Sequence, residues 1–136
     1  MRPFFVYGTL KRGQSNYTRL LAGQTIDETR AWLPAAALYT AGPYPFLVQA
    51  VDLTPPGSIV IGELIEVLPE NYPHVLALLD DLEDYVPGRV GNLYERIVVT
   101  VQTTSGSREA WTYIAGAAVE AAIRQGQLRF IPGGEW

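Results

Sequence analysis

Four carboxylates stand within five positions in the segment Leu78-Leu79-Asp80-Asp81-Leu82-Glu83-Asp84-Tyr85. A carboxylate can take and return protons near neutral pH if its surroundings tune it upward from its ordinary pKa. Tyr72, Val75, Leu76, Leu79 and Leu82 recur at spacings of three and four, so the acids fall on the last turn of an amphipathic helix. The macrodipole is negative there, and each exposed carboxylate costs about 0.3–1 kcal/mol. A local rule broken in this way often marks a functional site. Glu83 follows Leu79 by four residues and Leu76 by seven, which puts it on the apolar stripe. Burial, the neighbouring acids and the helix end should all favour its neutral form and raise its pKa. Asp80, one turn back on a similar face, is the second candidate, whereas Asp81 and Asp84 are expected to face water. The pattern alone leaves another reading open, a solvated acidic patch that ends a helix.

A second segment, Tyr7-Gly8-Thr9-Leu10, leaves an apolar stretch and runs toward Gly13. Gly8 would let the backbone turn so that successive N–H groups converge on one point, a nest able to hold a carboxylate or an oxyanion. Lys11 and Arg12 would add positive potential beside it. An ordinary strand-to-loop turn is the alternative. The loop matches neither a Walker nor a dinucleotide fingerprint, so nucleotide binding is not indicated.

Composition narrows what else is possible. No cysteine is present, which excludes disulfides, thiolate nucleophiles and cysteine-zinc sites, and the single histidine, His74, excludes multi-histidine metal centres. A serine triad would have to use His74, which sits at the start of the helix and is expected at the surface. Net charge is −4, and the ten Lys and Arg residues form no long run, so a nucleic-acid partner is not expected. No apolar run approaches the ~20 residues that span a bilayer. Gly8 interrupts the short apolar start before it could serve as a signal peptide, so a soluble cytoplasmic protein without a membrane partner is expected. Carboxylates, tyrosines, hydroxyls and backbone dipoles remain to do the chemistry.

These groups need a scaffold. Phe4 to Tyr7 reads as a buried first strand, and Ser15 to Leu21 as a short helix capped by Ser15 and stopped at Gly23. Thr25 to Tyr39 is strand-like, with Pro34 at an edge or a bulge. Thr40 to Pro45 is a rigid turn before a strand from Phe46 to Val51. Ser58 to Leu68 is a long strand, rich in isoleucine and valine. After the acidic helix, Tyr94 to Thr103 and Arg108 to Ala115 form a hairpin around Ser105-Gly106, with Ile97, Val99 and Val101 on one face. Gly116 to Arg124 suggests a short helix, and the tail from Phe130 to Trp136 is expected to be irregular. Trp32, Trp111 and Trp136 read as core anchors, with pocket walls as the alternative. Many short strands with two or three helices indicate an α+β single domain over residues 1–136, a closed or nearly closed mixed β-barrel.

In order, Tyr7-Gly8-Thr9-Leu10 with Gly13, Gly62-Glu63-Leu64, Leu79-Asp80 with Glu83, Tyr94-Glu95-Arg96 and Ala110-Trp111-Thr112-Tyr113 resemble the gamma-glutamylcyclotransferase-like family. The resemblance spans about residues 3 to 115. It implies a mixed β-barrel with flanking helices, a pocket at the barrel mouth, and cleavage of a gamma-glutamyl amide to 5-oxoproline and a free amine. It implies Glu83 as proton-transferring residue, the backbone of Tyr7, Gly8, Thr9 and Leu10 as substrate holder, and Tyr94 and Tyr113 as pocket wall. No metal or organic cofactor is implied; the partner is a small gamma-glutamyl substrate, and oligomeric state is left open. One departure matters: family members commonly have Gly after that glutamate, whereas Asp84 follows here, with a longer loop from Val86 to Asn92. The competing expectations are a non-catalytic binding module of the same fold and a related lyase acting on a larger gamma-glutamylated amine.

Overall fold

Phe4-Phe5-Val6 forms β1 (Phe4–Val6), and all three residues are buried. Side chains alternate across a strand, so burial of consecutive residues requires a packed layer on both faces. That is what a computed structural model of the chain shows, describing residues 1–11 and 13–136. Phe4 and Val6 point into one apolar cluster with Ile65, Val75, Leu79 and Val119, and Phe5 points into another with Leu33, Val60, Val99 and Val101.

The strands around β1 close into a barrel. In chain order they are β2 (Thr25–Pro34), β5 (Ile59–Val67), β6 (Tyr94–Thr103) and β7 (Gly106–Ala115), arranged β1-β5-β2-β6-β7. β1 pairs antiparallel with β5 and parallel with β7, where Phe4 stands opposite Trp111, so the barrel is mixed. Gly62 makes the β1–β5 approach possible: a Cβ there would lie 2.2 Å from the Val6 carbonyl oxygen. β3 (Ala37–Thr40), β4 (Pro45–Val48) and β8 (Arg129–Phe130) make a separate three-stranded sheet, order β4-β3-β8. α1 (Tyr72–Leu82) packs Val75 and Leu79 inward, and α2 (Ala117–Arg124) packs Val119 and Ile123. Among the described residues no helix is long and apolar enough to cross a membrane.

The architecture agrees with the expected barrel, and several boundaries differ for identifiable reasons. The strand-like run from Thr25 to Tyr39 is two strands in two sheets, because the backbone turns at Ala35, whose φ is 54°. Pro34 ends β2, and the register irregularity lies at Thr25–Asp27 instead. The strand expected to run from Phe46 to Val51 stops at Val48, and Val51–Leu53 is a 3-10 turn. The short early helix spans residues 15–21 as expected and is π-helical over Tyr17–Leu21, with no side-chain cap at the start of that turn. The tail is partly ordered by pairing, since Phe130 stands opposite Tyr39 with ring centroids 5.6 Å apart. The three tryptophans are only half-buried, so they flank the core and do not fill it.

Candidate active site

α1 ends in a Schellman-type cap. The Tyr85 N–H donates to the Asp80 carbonyl at 2.8 Å and the Asp84 N–H to the Asp81 carbonyl at 3.1 Å, with Asp84 in the left-handed region at φ 51°. Asp84 thus occupies the backbone position that glycine fills best. The cap sorts the four acids. Asp81 is exposed; Asp84 points outward and pairs with Arg89 at 3.4 Å. Asp80 Oδ1 lies 3.0 Å from Arg96 Nε and accepts the Tyr113 hydroxyl at 2.6 Å. Glu83, the last helical position's neighbour, turns into a cavity and has no cationic partner among the described residues. Burial raises its carboxyl from 4.5 to about 7. Three causes were expected and burial alone is responsible, because the other carboxylates are neutralised or solvated.

The cavity has a volume of about 330 Å³ and opens at the barrel mouth. Its walls bring together Glu83, Tyr7, Gly8, Thr9, Leu10, Tyr94 and Tyr113. Tyr7 and Leu10 follow β1, Tyr94 begins β6 and Tyr113 lies on β7, so barrel closure delivers residues distant in sequence to one point. Each tyrosine commits its proton to the protein. The Tyr7 hydroxyl donates to the Tyr113 carbonyl at 2.5 Å, and that of Tyr94 to the Pro45 carbonyl at 2.9 Å. The Tyr113 hydroxyl donates to Asp80. All three phenols are pushed above their usual range, chiefly by burial; the charge of Glu83 adds to the shift of each. These oxygens therefore offer the cavity acceptor lone pairs and no donors.

The loop after β1 forms another part of the lining. The Lys11 N–H closes a turn onto the Gly8 carbonyl at 3.1 Å, and the Thr9 carbonyl accepts the Asn16 and Tyr17 N–H groups, each at 3.0 Å. The N–H groups of Gly8, Thr9 and Leu10 themselves meet no protein acceptor among the described residues. Gly8 does not take a positive φ. A Cβ there would sit 3.1 Å from the Pro45 ring, close enough that the ring would have to shift by a few tenths of an ångström. The Lys11 ammonium reaches away to the Trp136 carbonyl at 2.9 Å, and Arg12 lies outside the described residues.

The sequence reading missed several groups. Asn16 and Arg19 line the cavity from the turn that ends in π-helix, and their spacing of three was a usable signal. Tyr44 and Leu93 line it from irregular segments, where no periodic signal exists, and Pro45 lines it from the first position of β4. Arg96 supports the wall from behind, held between the Trp111 and Tyr85 rings at 4.4 and 5.3 Å from their centroids. Its spacing of two from Tyr94 on a strand placed it on that side. The long loop after Glu83 is organised by buried Asn92, which donates to the Val86 carbonyl at 3.0 Å and accepts from Arg89 Nε at 2.8 Å. His74 is exposed. Among the described residues, no group of three or more His, Cys, Asp or Glu could hold a metal ion.

At the mouth of a closed mixed barrel, one cavity is thus lined both by a buried carboxylate without a cation among the described residues and by the loop that follows β1. The chain belongs to the family described as Gamma-glutamyl cyclotransferase, AIG2-like, which it matches over residues 4–136. It is a gamma-glutamylcyclotransferase-like enzyme. Among its relatives, gamma-L-glutamyl-butirosin B gamma-glutamyl cyclotransferase of Niallia circulans is 32% identical over 115 residues, covering 84% of this chain and 67% of that protein. Gammaglutamylaminecyclotransferase A of Danio rerio is 34% identical over 119 residues, covering 80% of this chain and 66% of that protein. The crystal structure of an AIG2-like protein from Mus musculus superposes with a TM-score of 0.64 at 29% identity, covering 85% of this chain and 78% of that one.

Proposed function

We propose that the enzyme cyclises the glutamyl arm of a gamma-glutamyl amide, releasing 5-oxoproline and an amine, with Glu83 as the proton carrier. The observation that carries the reading is the Glu83 carboxyl, raised to about 7 at a cavity that is also lined by Gly8, Thr9 and Leu10, whose backbone N–H groups meet no protein acceptor among the described residues. The substrate's α-carboxylate is held by the N–H groups of Gly8, Thr9 and Leu10, and its α-ammonium faces Glu83 and the acceptor oxygens of Tyr94 and Tyr113. Glu83 takes a proton from the ammonium. The freed nitrogen attacks the γ-carbonyl carbon, forming the ring C–N bond. Collapse breaks the exocyclic C–N bond as Glu83 gives its proton to the departing nitrogen; Glu83 then takes the second proton from the ring nitrogen and passes it on to the released amine, so the products are a neutral lactam, an ammonium and the ionised carboxylate of Glu83.

The chain's main contribution is positional, because nucleophile and electrophile belong to one substrate. Holding them in a ring-closing pose is worth up to about 7–11 kcal/mol in favourable intramolecular cases. Proton transfer by a tuned carboxylate adds about 10²–10⁴-fold. The test is 5-oxoproline release from a panel of gamma-glutamyl amines and dipeptides by the wild type and by Glu83→Gln. Release by the wild type and not by the variant is expected. Activity of the variant within a few-fold of the wild type would remove Glu83 from the role. No release from any panel member by folded wild type would leave a binding module in place of the reaction.

A further inference from the structure

We infer that Arg19 sets specificity for the amine half of the substrate, favouring a leaving amine that carries a carboxylate. The inference rests on the proposed cyclisation, which places the glutamyl arm inward and sends the amine half through the mouth. The deep part of the cavity is made by Tyr7, Tyr94 and Tyr113, all buried. The lining residues at the opening are exposed: Arg19, Asp84, Tyr44 at 45% and Leu93 at 46%. A leaving group must pass among these four.

Their charges are not equivalent. Asp84 is neutralised by Arg89. Arg19 is the one cation among the described lining residues, and it has no carboxylate partner among them. It is tethered all the same: its Nη2 donates to Asn16 Oδ1 at 3.0 Å, and Asn16 Nδ2 donates to Thr9 Oγ1 at 2.6 Å. The chain Thr9–Asn16–Arg19 therefore holds a guanidinium at the rim, one side chain beyond the loop N–H groups. Those N–H groups serve the α-carboxylate of the glutamyl arm; the guanidinium stands further out and meets whatever the amine half bears. Tyr44 and Leu93 offer apolar surface for a short carbon skeleton, and Arg19 offers a fork of donors suited to a carboxylate at its end. A polycationic amine would meet an uncompensated like charge at the same place.

The test uses three substrates that share the glutamyl arm: gamma-glutamyl-β-alanine, its terminal carboxamide, and gamma-glutamyl-putrescine. For the wild type, kcat/KM should rank carboxylate over carboxamide over ammonium. In Arg19→Ala the carboxylate-to-carboxamide ratio should fall about tenfold, the scale of one partly solvated charge-assisted contact. Arg19→Lys should restore part of the ratio, and Arg19→Glu should invert the preference between carboxylate and ammonium. The wild-type ratio should shrink with added salt. The carboxamide serves as internal control for folding, because a damaged protein loses all three activities and leaves the ratios intact. An equal loss on all three substrates by a variant whose circular dichroism and Tm match the wild type would assign Arg19 to the glutamyl carboxylate, and a wild type with no preference would equally overturn the inference. Both results leave the cyclisation standing. Absence of 5-oxoproline from all three with the wild type would overturn the cyclisation itself and this inference with it.

Discussion

Replacing Glu83 by Gln should cost activity and add stability, and pH separates the two effects. Burial raises the Glu83 carboxyl from 4.5 to about 7 in the folded protein, whereas the unfolded chain titrates at the ordinary value. Between those pH values the folded state holds a proton that the unfolded state has released. The group's contribution to stability is therefore complete below about pH 4.5 and is lost as the pH rises through about 7. At about 1.36 kcal/mol per pH unit the interval corresponds to about 3 kcal/mol. Glu83 is partly exposed at the cavity, and solvent screening reduces the expected effect to about 1.5–3 kcal/mol. Glutamine keeps the shape without the charge and escapes this loss. The stability advantage of Glu83→Gln should grow by that amount between about pH 4.5 and about pH 8, which for a chain of this length is about 5–10 °C in Tm. Thermal unfolding of both proteins, followed by circular dichroism across this range, measures it. Wild-type turnover should meanwhile rise through about pH 7 as Glu83 ionises. A Tm difference that stays constant with pH would refute the raised pKa, and with it the argument that burial tunes the proton carrier.

Asp80→Asn should leave the Arg96 guanidinium half-buried without a counter-charge and cost about 2–4 kcal/mol, read as a lower urea midpoint; an unchanged midpoint would mean that Arg96 is held by the Trp111 and Tyr85 rings alone. Asp84→Gly should stabilise by about 0.5–1 kcal/mol, because glycine takes the left-handed φ of 51° without strain. The lost surface pair with Arg89 offsets little of this, and a fall in Tm would show that the pair orders the loop. Gly62→Ala should destabilise by at least about 3 kcal/mol, since its Cβ would lie 2.2 Å from the backbone oxygen of Val6. A folded variant of wild-type Tm would mean that β1 and β5 can part without loss.

Periodicity carried most of the fold. The switch from alternating residues to spacings of three and four at Tyr72 located α1, and the apolar runs located β5 and β6. The passage from β2 to β3 was not legible, because Pro34 and Ala35 break one sheet and start another while the residues on both sides still favour strand. β8 was missed because a two-residue strand has no period. The position of Glu83 on the apolar stripe of α1 was legible from spacing. The partners around it were not: Pro45, whose ring lies against Gly8 and whose carbonyl accepts from Tyr94, reaches the site only because the small sheet folds over the barrel mouth. Asn16 and Arg19 were within reach of the same helical spacing argument. The turn that carries them was recognised, but its inward face could not be chosen without the barrel beside it.

The acidic run at the end of α1 reads in sequence as one feature and resolves in space into four environments. Asp81 faces water, Asp84 is carried out by the cap and tied to Arg89, and Asp80 is paired with Arg96. Glu83 alone is withdrawn from water without a cation, so it alone pays for its position in stability and gains a proton affinity close to neutrality. The same Asp80–Arg96 pair that removes one acid from the proton chemistry also fixes the Tyr113 hydroxyl as an acceptor. Neutralising Asp80 therefore disturbs two things together, a buried charge and the direction of a hydrogen bond at the cavity wall. Of the four acids at the helix end, two meet a guanidinium, one faces water, and Glu83 is withdrawn from water with no cation beside it among the described residues.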